Sequence, residues 1–312
     1  MTVTHLSHFA LQVPDPEAGI QFYRDFGLEG GAIGNKAVMR CAGRDQDQVI
    51  LVEGPRRKLH HICFGTTEEG LASIKARVEG SNGASLIDPP TETPSEGIWI
   101  RDWEDMTYNV RVSEAALSLG GPNGHVDVEW KVNQPGHYGR MGGRGAPDRN
   151  QVVKPRRLGH VLHFTTDLNR RQEFYENVLG MRMSDRSADI IAFMHCAGGS
   201  DHHVIGLIQH EKTGFHHASF EVANPDEVGL GGSKMLEKGY KDGWGFGRHV
   251  IGSNFFHYIR DPWNGLAEYF SDIDYIPKDY DWQAKDWDPE DSLYLWGPGV
   301  PEDFGHNFEA DQ

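Results

Sequence analysis

The sequence predicts an α+β protein made of two similar halves, each with a mainly antiparallel sheet. The first observation is an internal repeat, in which LSHF at residues 6–9 matches LGHV at residues 158–161. The second is that both copies continue with a helix start and then several short apolar segments in the same order. The third is size, because 312 residues, 38% of them hydrophobic, suffice for two domains of about 150 residues.

Four anchors keep their order in both copies. Asp15 and Asp167 each follow the first His by seven residues, and a Phe-Tyr pair follows it by fourteen. A Gly with an apolar neighbour and then a His-His pair come next, the pairs at 60–61 and 216–217. We therefore predict a duplicated domain, at residues 1–115 and 156–275.

The first elements of the N-terminal half are predicted from local patterns. His5 to Val13 alternates as a strand does, and Asp15 followed by Pro16 is typical of a helix start. Gly27 can end this helix. The apolar face of the helix has residues at helical spacing: Ala18, Phe22 and Phe26.

In the second half we expect strands near 189–196 and 202–209, then a strand over 216–222 and a helix that starts at 225–227. Each half would thus contain two copies of one unit, in which a strand is followed by a helix and then by further strands. Residues 116–155, rich in Gly, Pro, Asn and Arg, are predicted to be a linker. Residues 276–312 form an acidic tail with many Trp and Tyr, which we expect to pack on the body or on a neighbouring molecule.

Composition restricts the function classes. The net charge of −16 disfavours binding to nucleic acid, and no apolar run approaches the roughly 20 residues that cross a bilayer. The N-terminal residues lack the pattern of a secretion signal, so we expect a cytoplasmic protein. Three separated cysteines argue against a disulfide framework or a thiolate zinc site.

Three residues stand on predicted strands in apolar surroundings: His160, His217 and Glu268. A buried carboxylate is costly without a partner, and a divalent metal shared with two imidazoles removes that cost. Two His and one carboxylate leave coordination positions open, as in non-heme Fe(II) oxygenases. The alternative is that each residue is a hydrogen-bonded part of the core.

With these motifs, residues 5–275 resemble the type I extradiol ring-cleaving dioxygenases of the vicinal oxygen chelate superfamily. The resemblance implies two tandem domains, each of two βαβββ modules in a mixed or antiparallel barrel-like sheet. It implies that His160, His217 and Glu268 bind Fe(II), with Mn(II) as the alternative ion. It further implies cleavage of a catechol-type ring with O2, in aromatic-compound catabolism, by a homo-oligomer.

The resemblance extends to further residues. Tyr258 lies ten residues before Glu268, and His249 lies nine residues before Tyr258, as expected for groups that bind the substrate oxygens. His203, at the end of a His-His pair, matches the catalytic acid/base. Phe193 matches a pocket residue. Three further residues are candidates for shaping the pocket: His195, Trp244 and Phe246.

The N-terminal half differs at the ligand positions. His8 and His61 match the two His ligands, but Tyr108 or Asn109 stands where the carboxylate would be. We therefore predict no metal in this half and one iron per chain. VIG at 250–252, where the family often has Asn-Asp, leaves the substrate open among monocyclic, biphenyl and carboxylated catechols and hydroquinones.

Two other functions fit the same fold. One is another metal-dependent reaction of the superfamily, such as glyoxalase-like isomerisation, which typically uses a fourth protein ligand. The other is a metal-free protein that binds an aromatic compound. Consumption of O2 on addition of a catechol distinguishes the dioxygenase from both.

Overall fold

A computed structural model describes residues 2–91, 93, 95–115, 131–146 and 148–311. The N-terminal half contains β1 (His5–Val13), α1 (Pro16–Asp25), β2 (Glu29–Ile33), β3 (Lys36–Arg40), β4 (Val49–Glu53), β5 (Lys58–Thr66), α2 (Glu68–Glu79), β6 (Ala84–Ile87), β7 (Ile98–Asp102) and β8 (Thr107–Val112). A short hairpin follows, β9 (Asn133–Gln134) and β10 (His137–Tyr138). Residues 116–130 of the expected linker lie outside the described residues.

The C-terminal half contains β11 (Arg157–Thr165), α3 (Leu168–Asn177), β12 (Met181–Ser187), β13 (Ile191–Cys196), β14 (Gly199–Asp201), β15 (Ile205–Gln209), β16 (Gly214–Glu221), α4 (Pro225–Glu237), β17 (Asp242–His249), β18 (Phe255–Arg260) and β19 (Leu266–Ser271). The tail adds β20 (Tyr275–Pro277), α5 (Pro289–Ser292) and β21 (Tyr294–Trp296).

Both halves have the same strand order. The first sheet runs β2-β3-β4-β1-β5-β8-β7-β6, and the second runs β12-β13-β15-β11-β16-β19-β18-β17-β21. In each half the first strand of a module pairs in parallel with the last strand of that module, and the two modules meet through an antiparallel pair, β1–β5 or β11–β16. The predicted architecture of two βαβββ modules in each half is confirmed.

The first helix of each half begins at the predicted aspartate. The Asp15 carboxylate accepts a hydrogen bond from the Ala18 backbone N–H at 3.1 Å, and Asp167 accepts one from Arg170 at 3.0 Å. These caps satisfy backbone donors that the first turn leaves without a partner. Gly27 follows α1 with a φ of +106°, which a residue with a side chain rarely adopts, so the chain turns away from the helix there.

The two halves pack on each other through buried aromatic and charged groups. The Tyr269 ring stacks on Phe26 with a centroid distance of 3.8 Å, and its hydroxyl donates to the Phe26 carbonyl at 2.7 Å. Arg171, fully buried, pairs with Asp102 and Glu104 of the other half. These contacts hold the C-terminal sheet against its duplicate.

The tail packs on the body of the protein. β20 pairs with β14, and β21 extends the second sheet beyond β17. Near the end of the chain, the Glu309 carboxylate accepts hydrogen bonds from the backbone N–H groups of Leu59, at 2.9 Å, and Phe215, at 3.0 Å. Glu309 thereby joins the tail to both halves. None of the helices in the described residues is long and apolar enough to span a membrane.

Candidate metal centre and active-site pocket

The metal-site candidates lie on the central strands of the C-terminal sheet. Tyr258, Glu268, Ser219 and His160 are paired in one row across β18, β19, β16 and β11. Cross-strand partners point to the same face, and His217, two residues before Ser219, points to that face as well. The spacing of the residues along the strands thus brings two imidazoles and one carboxylate to one point.

The three ligand atoms converge in the protein interior. His160 Nε2 lies 3.1 Å and His217 Nε2 lies 3.4 Å from the same Glu268 oxygen, Oε2. Glu268 is 0% exposed, and the buried His217 Nε2 has no hydrogen-bond partner among the described residues. A buried imidazole nitrogen without a hydrogen-bond partner, next to a buried carboxylate, is an environment that a cation stabilises, so the residues fit a divalent metal.

The carboxyl of Glu268 is held in its ionised form. Burial by itself raises the pKa of this group, but the adjacent His160 and His217 imidazoles together outweigh that effect and lower the pKa overall. The Asn254 amide also donates to Glu268 Oε1, at 3.3 Å, and Asn254 is completely buried. No spacing in the sequence indicated Asn254, because it precedes β18 in an irregular segment.

His203 lies beside His160, with their ring centroids 4.4 Å apart. Its Nδ1 is 3.1 Å from His202 Nδ1, and His202 Nε2 is 3.1 Å from Asp185 Oδ2. Asp185 accepts from His202, so with both imidazoles neutral His203 donates its Nδ1 proton and keeps Nε2 as an acceptor. Burial, with the His160 ring adjacent, lowers the pKa of His203 well below its ordinary value.

Tyr258 and His249 form a second polar pair at the site. The Tyr258 hydroxyl lies 3.0 Å from His249 Nε2, and His249 Nδ1 lies 2.7 Å from the Leu293 carbonyl oxygen. The carbonyl requires a proton on Nδ1, so the neutral ring accepts from Tyr258 at Nε2. Burial lowers the pKa of His249 to about 4, in agreement with a neutral ring.

A cavity opens beside these groups and is mostly apolar. Besides the imidazoles and Tyr258, its lining consists of Leu162, Ile191, Phe193, Ile208, Ile251, Ser292, Leu293 and Phe304. None of the described residues that line it is a lysine or an arginine. Ile251 belongs to the segment that departs from the family pattern, and its side chain accounts for part of the low polarity.

The four expected pocket residues are placed differently from one another. Phe193 lines the cavity and packs on His203, with centroids 4.6 Å apart. Within the described residues the other three lie outside the lining. His195 bonds to Ser184, Trp244 packs behind Tyr258 and Phe304, and Phe246 packs on Phe255.

Tail residues form part of the cavity wall, which the sequence analysis did not predict. Ser292, Leu293 and Phe304 all belong to the segment after residue 276. The high aromatic content of this segment indicated packing, but its path across the pocket depends on loops without a local signal. The pocket is therefore completed by residues far from the metal ligands in the chain.

The N-terminal half retains two imidazoles without a carboxylate at the corresponding position. His8 Nε2 lies 3.1 Å from His61 Nε2, and both side chains are buried. In the register of β5 and β8, Cys63 pairs with Asn109, as Ser219 pairs with Glu268 in the other half. Of the two residues that the sequence left open, Asn109 is therefore the structural equivalent of Glu268.

The sequence is similar to known ring-cleaving enzymes. Residues 157–269 match the glyoxalase/bleomycin resistance protein/dioxygenase superfamily. Metapyrocatechase 2 of Cupriavidus necator is 41% identical over 99% of this chain and 93% of its own. A manganese-dependent 2,3-dihydroxybiphenyl 1,2-dioxygenase of Geobacillus genomosp. 3 is 24% identical over 95% and 94%. An iron-dependent extradiol dioxygenase of Rhodococcus jostii is 30% identical over 45% and 50%.

Solved structures share the fold. The Mn(II)-bound glyoxalase from Novosphingobium aromaticivorans superposes with a TM-score of 0.75 at 21% identity, over 96% of this chain and 93% of its own. The 2,2',3-trihydroxybiphenyl 1,2-dioxygenase from Sphingomonas wittichii gives a TM-score of 0.73 at 19% identity, over 96% and 100%. At these identities the two structures establish the architecture alone.

Proposed function

The chain belongs to the extradiol dioxygenases of the glyoxalase/bleomycin resistance protein/dioxygenase superfamily and cleaves catechol-type rings with O2, and we propose that His160, His217 and Glu268 hold its Fe(II). The observation that supports this assignment is the buried Glu268 carboxylate with two imidazole Nε2 atoms within 3.4 Å. Mn(II) is the alternative ion, because the same ligand set suits both.

Bound iron supplies Lewis acidity and open coordination positions for both reactants, and the surrounding residues orient the substrate and move protons. The Tyr258 hydroxyl donates to His249 Nε2, so its lone pairs are free to accept a hydrogen bond from a diol hydroxyl. In this way the pair binds the diol and fixes its orientation beside the imidazoles.

His203 is the acid/base in this proposal. Its Nε2 keeps a lone pair when its Nδ1 proton is donated to His202, and Asp185 orients His202 in turn. The ring lines the cavity next to His160 and Phe193. A proton accepted at Nε2 can therefore be returned to the ring-cleaved product.

We expect His203→Gln to lower kcat by about 10²- to 10⁴-fold, the usual contribution of a positioned acid/base. Because His203 is not assigned as a ligand, iron content should stay at the wild-type level. The measurements are steady-state ring cleavage and iron per chain on the same preparation, with His210→Gln, outside the cavity lining, as control. If iron is lost together with activity, the assignment of His203 is wrong.

The apolar lining favours an uncharged catechol. A carboxylate placed against Ile251, Leu293 or Ile191 loses its hydration without a cationic partner in the described lining. We therefore expect kcat/KM for catechol or a methylcatechol to exceed that for 3,4-dihydroxybenzoate by roughly 100-fold or more. A spectrophotometric substrate panel measures these ratios, and a preference for the carboxylated compound would contradict this specificity.

The isomerase alternative is less well supported by the site. It calls for a fourth protein ligand, whereas the metal-binding group found in the described residues has three members. Addition of catechol to anaerobically iron-loaded protein, followed by O2, should produce oxygen uptake together with a yellow ring-fission product. An isomerase or a binding protein would consume none.

Assembly and location belong to the proposal as well. We propose a homo-oligomer, since β21 forms an edge of the second sheet and exposes Leu295 at 65% and Trp296 at 43%. A cytoplasmic location is supported by the three cysteines, which are all buried free thiols. Light scattering of the purified protein and fractionation of cells measure the two properties.

A further inference from the structure

The imidazole next to His217 is fixed at both of its nitrogens. His216 Nε2 lies 2.6 Å from the Phe304 carbonyl oxygen, and His216 Nδ1 lies 2.6 Å from His217 Nδ1. A carbonyl oxygen can only accept, so the proton of the neutral His216 ring is on Nε2. Nδ1 of His216 is then an acceptor, and the proton between the two rings belongs to His217.

This assignment determines the state of the nitrogen that faces the metal position. With its proton on Nδ1, the neutral His217 ring has a lone pair at Nε2. The geometry agrees, because Nε2 lies 3.4 Å from Glu268 Oε2 and forms no hydrogen bond with it. Two acceptors face each other there, which is unfavourable without a cation and favourable with one.

On the basis of the function proposed above, in which His217 binds iron, we propose that His216 is a positioning residue for the metal centre. It holds His217 in the iron-binding tautomer, and the C-terminal segment holds His216 through the Phe304 carbonyl. Metal-bound histidines usually donate their second N–H to a carboxylate, a carbonyl or water. Here an imidazole occupies that place and connects the ligand to the tail.

The tail carbonyl is itself well anchored. The Asn307 amide donates to the carbonyls of Lys212 and Thr213, both at 3.1 Å, directly before β16. Glu309 accepts from two backbone N–H groups, one in each half of the protein. These contacts keep residues 304–309 against the start of β16, the strand that presents His216 and His217. The tail is therefore connected to the proposed ligand His217 through one intervening side chain, that of His216.

Three substitutions of His216 separate hydrogen bonding from packing. In His216→Asn the side-chain oxygen can replace Nδ1 and accept from His217. In His216→Gln the amide can reach Phe304 but leaves no acceptor near His217. His216→Phe keeps a ring of similar size without either bond. The readout is the rate at which anaerobic Fe(II)-loaded protein releases iron to ferrozine, followed by absorbance.

We expect His216→Phe and His216→Gln to release iron about 10- to 100-fold faster than wild type, and His216→Asn to stay close to wild type. His60→Phe is the matched control, because His60 Nδ1 contacts His61 Nδ1 at 2.8 Å in the half without the carboxylate. It should leave the release rate unchanged. Equal rates for all His216 variants, whether fast or slow, would overturn the tautomer assignment.

His217→Ala separates this inference from the proposed function. Loss of iron in His217→Ala with normal retention in His216→Phe and His216→Gln would overturn the inference alone. Normal iron content in His217→Ala would overturn the proposed ligand set, and the inference with it.

The contribution of the tail is tested separately in the full chain. Asn307→Ala combined with Glu309→Ala removes both side-chain anchors near Phe304 and should speed iron release, by less than His216→Phe does. Asp286→Ala is the control, since Asp286 anchors an earlier part of the tail to Ala188. Wild-type release from the Asn307/Glu309 variant would overturn the proposed role of the Phe304 carbonyl.

Discussion

Replacing Glu268 with alanine is expected to remove iron and ring cleavage together. Glu268 supplies the carboxylate on which His160 and His217 converge, and the variant keeps only two neutral ligands. The loss of iron affinity should exceed the 10- to 100-fold typical of residues that merely support a ligand. Because alanine also removes a buried charge, we expect the variant to fold. Iron per chain and the circular dichroism spectrum measure the two effects.

Asn109→Ala is the control for this substitution, since Asn109 occupies the same register position in the N-terminal sheet. It removes hydrogen bonds to the carbonyls of Glu96 and Ile98, so it costs stability but should leave iron content unchanged. The ligand assignment would be contradicted by a Glu268→Ala variant that binds one iron per chain and cleaves catechol.

Replacing Arg171 with methionine is expected to cause a large loss of stability, because this side chain joins the two halves in the interior. Arg171 is fully buried between Asp102 and Glu104, and it also donates to the Tyr108 hydroxyl at 2.6 Å. Without it two carboxylates lose their cationic partner in the interior, which typically costs about 3–5 kcal/mol. Urea unfolding followed by tryptophan fluorescence measures the change in the free energy of unfolding.

Arg170→Met provides the matched control, because Arg170 is the exposed neighbour and likewise lies over the Trp103 ring, at 4.4 Å. Its effect should stay within about 1 kcal/mol. A similar free energy of unfolding for both variants would show that the buried ion pairs contribute little to holding the halves together.

The convergence of the three proposed metal ligands could be predicted from sequence because these residues follow regular strand geometry. A His near the start of β11, another on β16 and a Glu on β19 reach one face when the central strands of the sheet pair, and the duplicate supplied an internal reference for each His. The sequence alone does not distinguish Tyr108 from Asn109 as the equivalent of Glu268, since adjacent residues on a strand point to opposite faces and the choice depends on strand pairing. The register of β5 with β8 resolves it.

The remaining parts of the site depend on contacts between distant segments. Asn254 reaches Glu268 from an irregular turn, and the Leu293 and Phe304 carbonyls bond to His249 and His216 from a tail of irregular path. Backbone carbonyls carry no sequence signature, so neither bond was predictable from residue types. Trp244 was expected in the pocket wall, but strand pairing turns it behind Tyr258 instead.

Anomalous diffraction at the iron edge, from crystals of the iron-loaded protein, tests the metal assignment most directly. We predict one peak per chain, within coordination distance of His160 Nε2, His217 Nε2 and a Glu268 oxygen, and none between His8 and His61. A fully active crystal with its iron bound elsewhere, or with these three side chains turned apart, would contradict it.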